Sequence, residues 1–501
     1  MLDSLRFDHV GCCGNKWIET PNIDRLAEEG TLFECAYVDS PHTLPARTSL
    51  FTGRYTFPFR GWKDLEPTDI LLSEVLMRNG YTTALISDTS PMFRSYGRGF
   101  DYVHWLRSQF YGPERLSLDE MFTAGSSDVE KLVEKYIGNY YGGGLYTEDR
   151  ERILSGRAGL ESYFRDRTRW KGDEDSCIAR VVKAGIKWLE SQEQKDNLFL
   201  WLDIWDPHEP WDPPSPYNRM YVDPEYKGED IVLPNANVFV EGYLSEEEIR
   251  HILALYAGEV TMVDKWVGIF LKTVRELDLL DNSLIILLSD HGEPFGEHGV
   301  IRKNMTHLYE ELIHIPLIIR HPDGLGKGKR IKSFVNTTDI MPTILDFFGI
   351  PESGGARFPP YFAGPLQMHG SSLLPLLSGE KESIREYAYC GYYVRHWVIR
   401  HREWKYMMWS PQHRSPMVYD RMGKPVTQSS AMLDKFFEFP KKPELFNLEE
   451  DLHEKNNLVD REPEIAESLD RELRRFVDTV QKTQPSQIPT RGERILKIYK
   501  F

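Results

Sequence analysis

Three uninterrupted apolar runs constrain this chain more than any other feature. They are NLFLWLDIW at 197–205, SLIILLSD at 283–290 and IPLIIR at 315–320. Strands that are apolar throughout, instead of at alternate positions, have both faces covered, as in a parallel sheet packed between helices. Helical patterns separate them, the longest being SEEEIRHILALYAGEVTMVDKWVGIFLKTVREL at 245–277. Strand alternating with helix predicts an α/β domain with a large, mostly parallel sheet. Ligands of such folds bind beyond the carboxyl ends of the strands. Asp206, Asp290 and His291 all follow buried runs.

Smaller elements complete the outline. Residues 20–30 (TPNIDRLAEEG) predict a helix with Thr20 as N-cap, Pro21 at the first position and Gly30 as the stop. DILLSEVLMRNG, ending at Gly80, predicts another helix, and TTALIS a strand after it. The stretch 105–178 carries FYGPERL, NYYGGGLY and RTRWKGDED; it reads either as an insertion walling a pocket or as a solvated surface excursion. Past about residue 380, short alternating strands (YYVRHWVIRH, EWKYMMW) and a final helix near 463–482 predict a smaller α+β subdomain with a short antiparallel sheet. The expected division is therefore 1–379 and 380–501.

Composition narrows the partners. With 501 residues, 41% hydrophobic and 28% charged, the chain builds a large globular core. Its net charge of −16 opposes binding to nucleic acid or to an anionic membrane, while local cations still allow a small anionic substrate. No run approaches the roughly 20 apolar residues of a membrane span, and MLDSLRFDHV has neither part of a signal peptide. Cys12, Cys13, Cys35, Cys177 and Cys390 are odd in number and scattered, so free thiols and a cytoplasmic location are expected. A homo-oligomer is left open. Only Met1 and Leu2 stand ahead of Asp3, fewer than a buried strand needs, so a start upstream of Met1 is expected and a leader there would be out of sight.

Chemistry concentrates in three segments. SDHGE (289–293) places Asp290 and His291 after a buried strand, a carboxylate and an imidazole for one cation, although such pairs also cap strands. Asp3 supplies a second acid. PHTLPARTSLFTGRY (41–55) adds the hydroxyl of Thr43 and the cation of Arg47.

In order along the chain, SLRFDHVGCCGN, TPNIDRLAEEGTLF, PHTLPARTSLFTGRY, SDHGEPFGEHG, LYEELIHIPLIIRHP, VNTTDIMPTILDFFGI, HGSSLLPLL and ELFNLEEDLHEKNNL resemble successive blocks of the sulfatase family, within the alkaline phosphatase superfamily. The resemblance implies an alkaline-phosphatase-like fold and metal-dependent ester hydrolysis. It implies Asp3, Asp290 and His291 as metal ligands, joined by Thr43 at the nucleophile position, with Arg47 holding that nucleophile. It also implies His208, in WDPHEPW, facing the leaving group, and Lys303 on the transferred group. Taken alone, His208 reads as a satisfied core or surface histidine and Lys303 as a solvated charge.

The departures from the family pattern are informative. Thr43 stands where a Cys or Ser is oxidised to formylglycine, so no formylglycine is expected. A threonyl ester has no second hydroxyl with which to expel sulfate, so water or another acceptor must attack it. Asp88, Thr89 and Ser90 stand where the family's sulfate-binding Lys and His are expected, Ser4 replaces a second Asp, and His291 replaces a common Asn. An imidazole and fewer carboxylates favour one divalent metal of the Zn²⁺ or Mn²⁺ kind, with Ca²⁺ open. Three readings follow: a Thr43-dependent hydrolase of phosphate diesters or phosphonate monoesters, an aryl or alkyl sulfatase, or a catalytically silent ligand-binding member.

Overall fold

The computed structural model describes residues 1–89, 95–106, 131, 161, 163–234, 238–303, 307–354, 366–393, 395–409, 418–419, 425–426 and 442–483. Most of the 105–178 stretch, and Ser90, lie outside these residues.

The apolar runs form the middle of one twisted sheet. Tyr102–Trp105, Thr82–Ser87 and Leu198–Asp203 pair in parallel. Leu2 then bridges in parallel to both Ile204 and Ser289, which joins this set to Ile285–Leu288. Beyond it Leu317–Arg320 runs antiparallel to Ile285–Leu288 and to Thr31–Phe33, and Thr31–Phe33 pairs in parallel with Lys329–Ile331. The sheet is mostly parallel, as expected.

Strand side chains alternate between two cores, which is why the central runs are apolar at nearly every position. Leu85, Phe199, Trp201, Leu288 and Ile319 face one core with the helices Thr43–Thr52, Leu72–Arg78 and Ile340–Phe347. Ala84, Ile86, Leu287 and Ile318 face the other, with Pro21–Glu29, Cys177–Glu190 and Glu246–Glu276. The 31-residue helix Glu246–Glu276 opens on a capping box: Ser245 accepts from the Glu248 amide, and the Glu248 carboxylate accepts from the Ser245 amide.

The expected N-cap at Thr20 is not made. Its hydroxyl accepts from the Gly11 amide at 2.8 Å and lies 3.1 Å from Asp24. The open amides of Asn22 and Ile23 go instead to the Asp264 carboxylate of the long helix, at 3.0 and 2.7 Å. A tertiary partner thus displaces the local cap.

The C-terminal part holds an antiparallel sheet of Tyr387–Gly391, His396–His401, Trp404–Trp409 and Glu444–Asn447. Leu469, Leu473 and Val477 of the helix Pro463–Lys482 cover one face, while the other packs on Tyr37, Leu312 and Ile313. All five cysteines are free thiols. Among the described residues no helix is long and apolar enough to cross a membrane. A cavity of about 680 Å³ lies towards the amino ends of the central strands, walled by Leu200, Leu202, Ile285, Ile286 and Phe270. Its walls carry no cluster of acids and histidines, so the chemistry has to be sought at the opposite ends of the strands.

Candidate active site and metal centre

Each central strand delivers one acid at its carboxyl end. Asp3 follows the bridging Leu2, Asp203 closes Leu198–Asp203, and Asp290 follows Ile285–Leu288. The helix Thr43–Thr52 aims its amino end at the same place, and all ten of its residues are buried. Thr43 is its first residue, and Arg47 reaches back one turn to donate to the Thr43 carbonyl at 3.2 Å.

Arg47 is fully buried and saturated. Nε and Nη2 grip Asp203 at 3.0 and 2.7 Å, Nη1 reaches Asp290 at 2.7 Å and Nη2 reaches Asp3 at 3.1 Å. With the Thr43 carbonyl these contacts occupy its five N–H donors. Arg47 thereby fixes the three carboxylates and the first turn of the helix Thr43–Thr52. Asp203 was missed as a site residue, although it ends an apolar run just as Asp290 does.

Three carboxylates against one guanidinium leave an excess of negative charge in a dry pocket. Burial and the neighbouring Asp290 accordingly raise the Asp3 pKa, against the pull of Arg47. His291 sharpens the imbalance. Its Nδ1 lies 2.7 Å from the Gly292 carbonyl, which only accepts, so Nδ1 carries the proton and Nε2 presents a lone pair. That Nε2 is buried with no hydrogen-bond partner, 3.7 Å from Asp3 Oδ1 and 3.6 Å from Asp290 Oδ2. Burial holds the imidazole neutral, its pKa lowered to about 4. Ligand atoms of Asp3, Asp290 and His291 lie within 4.8 Å of one another, the one such group among the described residues. A lone pair and two carboxylates converging on one point fit a divalent cation.

A second layer surrounds this cluster. Ser4, held at φ 62°, donates its amide to Asp290 at 3.1 Å and its hydroxyl to Asp3 at 3.0 Å. A hydroxyl thus replaces a further carboxylate and trims the charge of the site. Lys303 Nζ lies 3.2 Å from Ser4 Oγ, 3.5 Å from Glu293 and 3.8 Å from Glu209. Burial works against its charge, but Glu209 and Glu293 outweigh that and raise its pKa. The His208 ring packs tilted against Trp205, centroids 4.1 Å apart, and directs Nδ1 to the Glu209 carbonyl at 2.8 Å. Burial lowers its pKa to about 3, so it is neutral at ordinary pH. Sequence reading did not single out Glu209 or Glu293 as site residues, although Glu293 sits in the SDHGE segment.

Two nearby acids serve other ends. Asp88 is buried and accepts from the Trp205 amide at 2.8 Å, which props the loop carrying His208. Asp206 accepts from the Ile178 amide at the start of the helix Cys177–Glu190.

The model of the family described as sulfatase matches residues 1–350. The chain belongs to the sulfatase family. Residues 296–435 of this sulfatase also match the model described as N-sulphoglucosamine sulphohydrolase, C-terminal. It is 27% identical to an arylsulfatase of Clostridium perfringens, over 84% of this chain and 86% of that one. It is 24% identical to human arylsulfatase K, over 93% and 79%. In fold it is similar to the phosphonate monoester hydrolase of Agrobacterium radiobacter, with TM-score 0.65, 20% identity and coverage of 98% and 96%. A second solved structure, in complex with its substrate D-glucosamine-2-N,6-O-disulfate, gives TM-score 0.63 and 20% identity over 98% of each chain.

Proposed function

We propose that this sulfatase-family enzyme hydrolyses a small anionic ester, a phosphate diester or phosphonate monoester in the first place, with Thr43 as nucleophile. Family membership makes the chain a sulfuric- or phosphoric-ester hydrolase. The observation that carries the mechanism is the convergence of Asp3, Asp290 and the His291 lone pair beside the helix that begins at Thr43. These residues would hold one divalent metal, Zn²⁺ or Mn²⁺ by its imidazole ligand, and Thr43 would complete its shell. Such an ion supplies positive charge that favours the alkoxide form of a bound hydroxyl.

The side chains divide the remaining work. Arg47 fixes the carboxylates and the first turn of the Thr43 helix, so the hydroxyl is positioned before substrate arrives. Lys303 is protonated when substrate arrives and meets an oxygen of the transferring group, worth a few kcal/mol in a sheltered site. His208, neutral with its Nδ1 proton directed to the Glu209 carbonyl, would accept a hydrogen bond on the leaving-group side, and the proton for the departing oxygen comes from Lys303. In the attack the Thr43 oxygen bonds to phosphorus and gives up its proton to solvent as the bond to the departing oxygen breaks, and water then cleaves the threonyl ester and restores the hydroxyl.

The sulfatase reading rests on the arylsulfatase relatives. Against it stand Thr43, which cannot follow the formylglycine route, and Asp88, which occupies the expected sulfate-binding segment with a buried acid. Parallel turnover of aryl sulfate, phosphate monoester, phosphate diester and phosphonate substrates, with mass spectrometry of the Thr43 peptide, tests the choice. A phosphorylated Thr43 is expected. Full turnover by Thr43→Ala would overturn the nucleophile assignment, and sulfate esters as the best substrates would overturn the phosphorus preference.

A further inference from the structure

Seven large hydrophobic side chains stand exposed among the described residues, and two of them, Trp62 at 42% and Tyr393 at 36%, lie together. They come from distant parts of the chain. Gly61 backs directly onto Tyr393: a Cβ there would come 3.4 Å from the Tyr393 Cβ. Trp62 flanks His42, the residue before Thr43, and so does Tyr392, the chain neighbour of Tyr393. The Trp62 and His42 ring centroids are 6.2 Å apart, edge to face, and Tyr392, next to Tyr393, has its hydroxyl 3.2 Å from His42 Nε2. On its inner side the His42 ring lies 6.1 Å from the ring of His291. Rings therefore step outward from His291, through His42, to the exposed face of Trp62.

The wall is held in place. His42 has φ 75° and ψ 148°, a backbone region nearly confined to glycine that costs another residue about 1–3 kcal/mol, and it is buried against Tyr392. The cations on the Trp62 loop are paired with its acids, Lys63 with Glu66 at 2.6 Å and Arg60 with Asp69 at 2.7 Å, while Asp64 accepts from the Leu65 amide at 2.8 Å. The shelf thus offers a flat apolar surface and paired charges, which suits the uncharged face of a ring better than a second anionic group.

We propose that Trp62 and Tyr393 are specificity-determining residues, a stacking platform for the ring-bearing part of the ester whose anionic group enters beside Thr43. The substrate class is a ring ester, aryl or pyranosyl, since both present a flat C–H or π face to an indole. This rests on the hydrolase reading above and names the substrate side of the same site.

The test compares wild type, Trp62→Ala, Trp62→Phe and Tyr393→Ala on phenyl, hexosyl and methyl esters of the same phosphonate. Trp62→Ala is expected to lower the ring-to-methyl ratio of kcat/KM about tenfold, through KM, and Trp62→Phe to restore most of it. The phenyl and hexosyl arms tell which ring is preferred. An unmoved ratio in an active enzyme overturns the platform while the hydrolase reading stands. If the wild type hydrolyses no ester, the hydrolase reading fails instead. Calorimetric binding of phenylphosphonate against methylphosphonate, wild type against Trp62→Ala, then decides the platform by the same ratio.

Discussion

His291 Nε2 faces Asp3 Oδ1 across 3.7 Å, two acceptors opposed in a fully buried place. Neither atom gains by that approach unless positive charge lies between them. A divalent ion should therefore stabilise the folded enzyme. Added Zn²⁺ or Mn²⁺ at about a hundred times Kd is expected to contribute about 2.7 kcal/mol, seen as a rise in Tm that chelator reverses. His291→Ala should abolish most of the rise. A Tm indifferent to metal and chelator would remove the metal centre.

Arg47 ties Asp203, Asp290 and Asp3 to one guanidinium with none of the four side chains appreciably exposed. Removing one partner of a buried ion group strands the others, at a cost of about 3–5 kcal/mol. Arg47→Met is expected to lose that much in denaturant titrations at fixed metal, and to lose activity with it. A loss below about 1 kcal/mol would show that the carboxylates do not depend on Arg47.

The cap on Pro21–Glu29 comes from another helix. Asp264→Ala leaves the amides of Asn22 and Ile23 without their acceptor, and about 1–2 kcal/mol should be lost. Hydrogen exchange should quicken at the start of Pro21–Glu29 before it does elsewhere. Uniform quickening would mean that Asp264 matters for packing and not for the cap.

His369 gives a pH-dependent term away from the site. Its Nδ1 accepts from the Tyr55 amide at 3.0 Å, so protonating it would break that bond. Burial, helped by Arg54, lowers its pKa to about 4. The unfolded chain takes up this proton near pH 6.5 and the folded chain only near 4. Its stabilising contribution is therefore complete above about 6.5 and is lost as pH falls towards 4, at up to about 1.4 kcal/mol per pH unit. His369→Gln should remove this slope, which denaturation at pH 7, 6, 5 and 4 would show as curves converging in acid. Parallel curves would contradict it.

The sheet and the acids at its strand ends were legible because strand burial and strand termination are local properties of the chain. The run SLIILLSD announces both a strand covered on two sides and an acid where it stops, and the Thr43-to-Arg47 spacing is one helical turn. Asp203 carried the same signal but lacked a neighbouring histidine to draw attention to it. Resemblance to the sulfatase family supplied His208 and Lys303, which pattern alone would have left as ordinary polar residues.

What the linear chain determined is which residues sit at strand ends and helix starts, since periodicity and apolar runs act over a few residues. Tertiary structure alone decided which of them share space. Only there does Arg47 divide its donors among three distant carboxylates and the Thr43 carbonyl, and only there does Asp264 replace Thr20 as the cap. The meeting of Trp62 and Tyr392 at His42 is of the same kind. Each depends on contacts between segments far apart in the chain, where energies are set by distance and burial that no local pattern encodes.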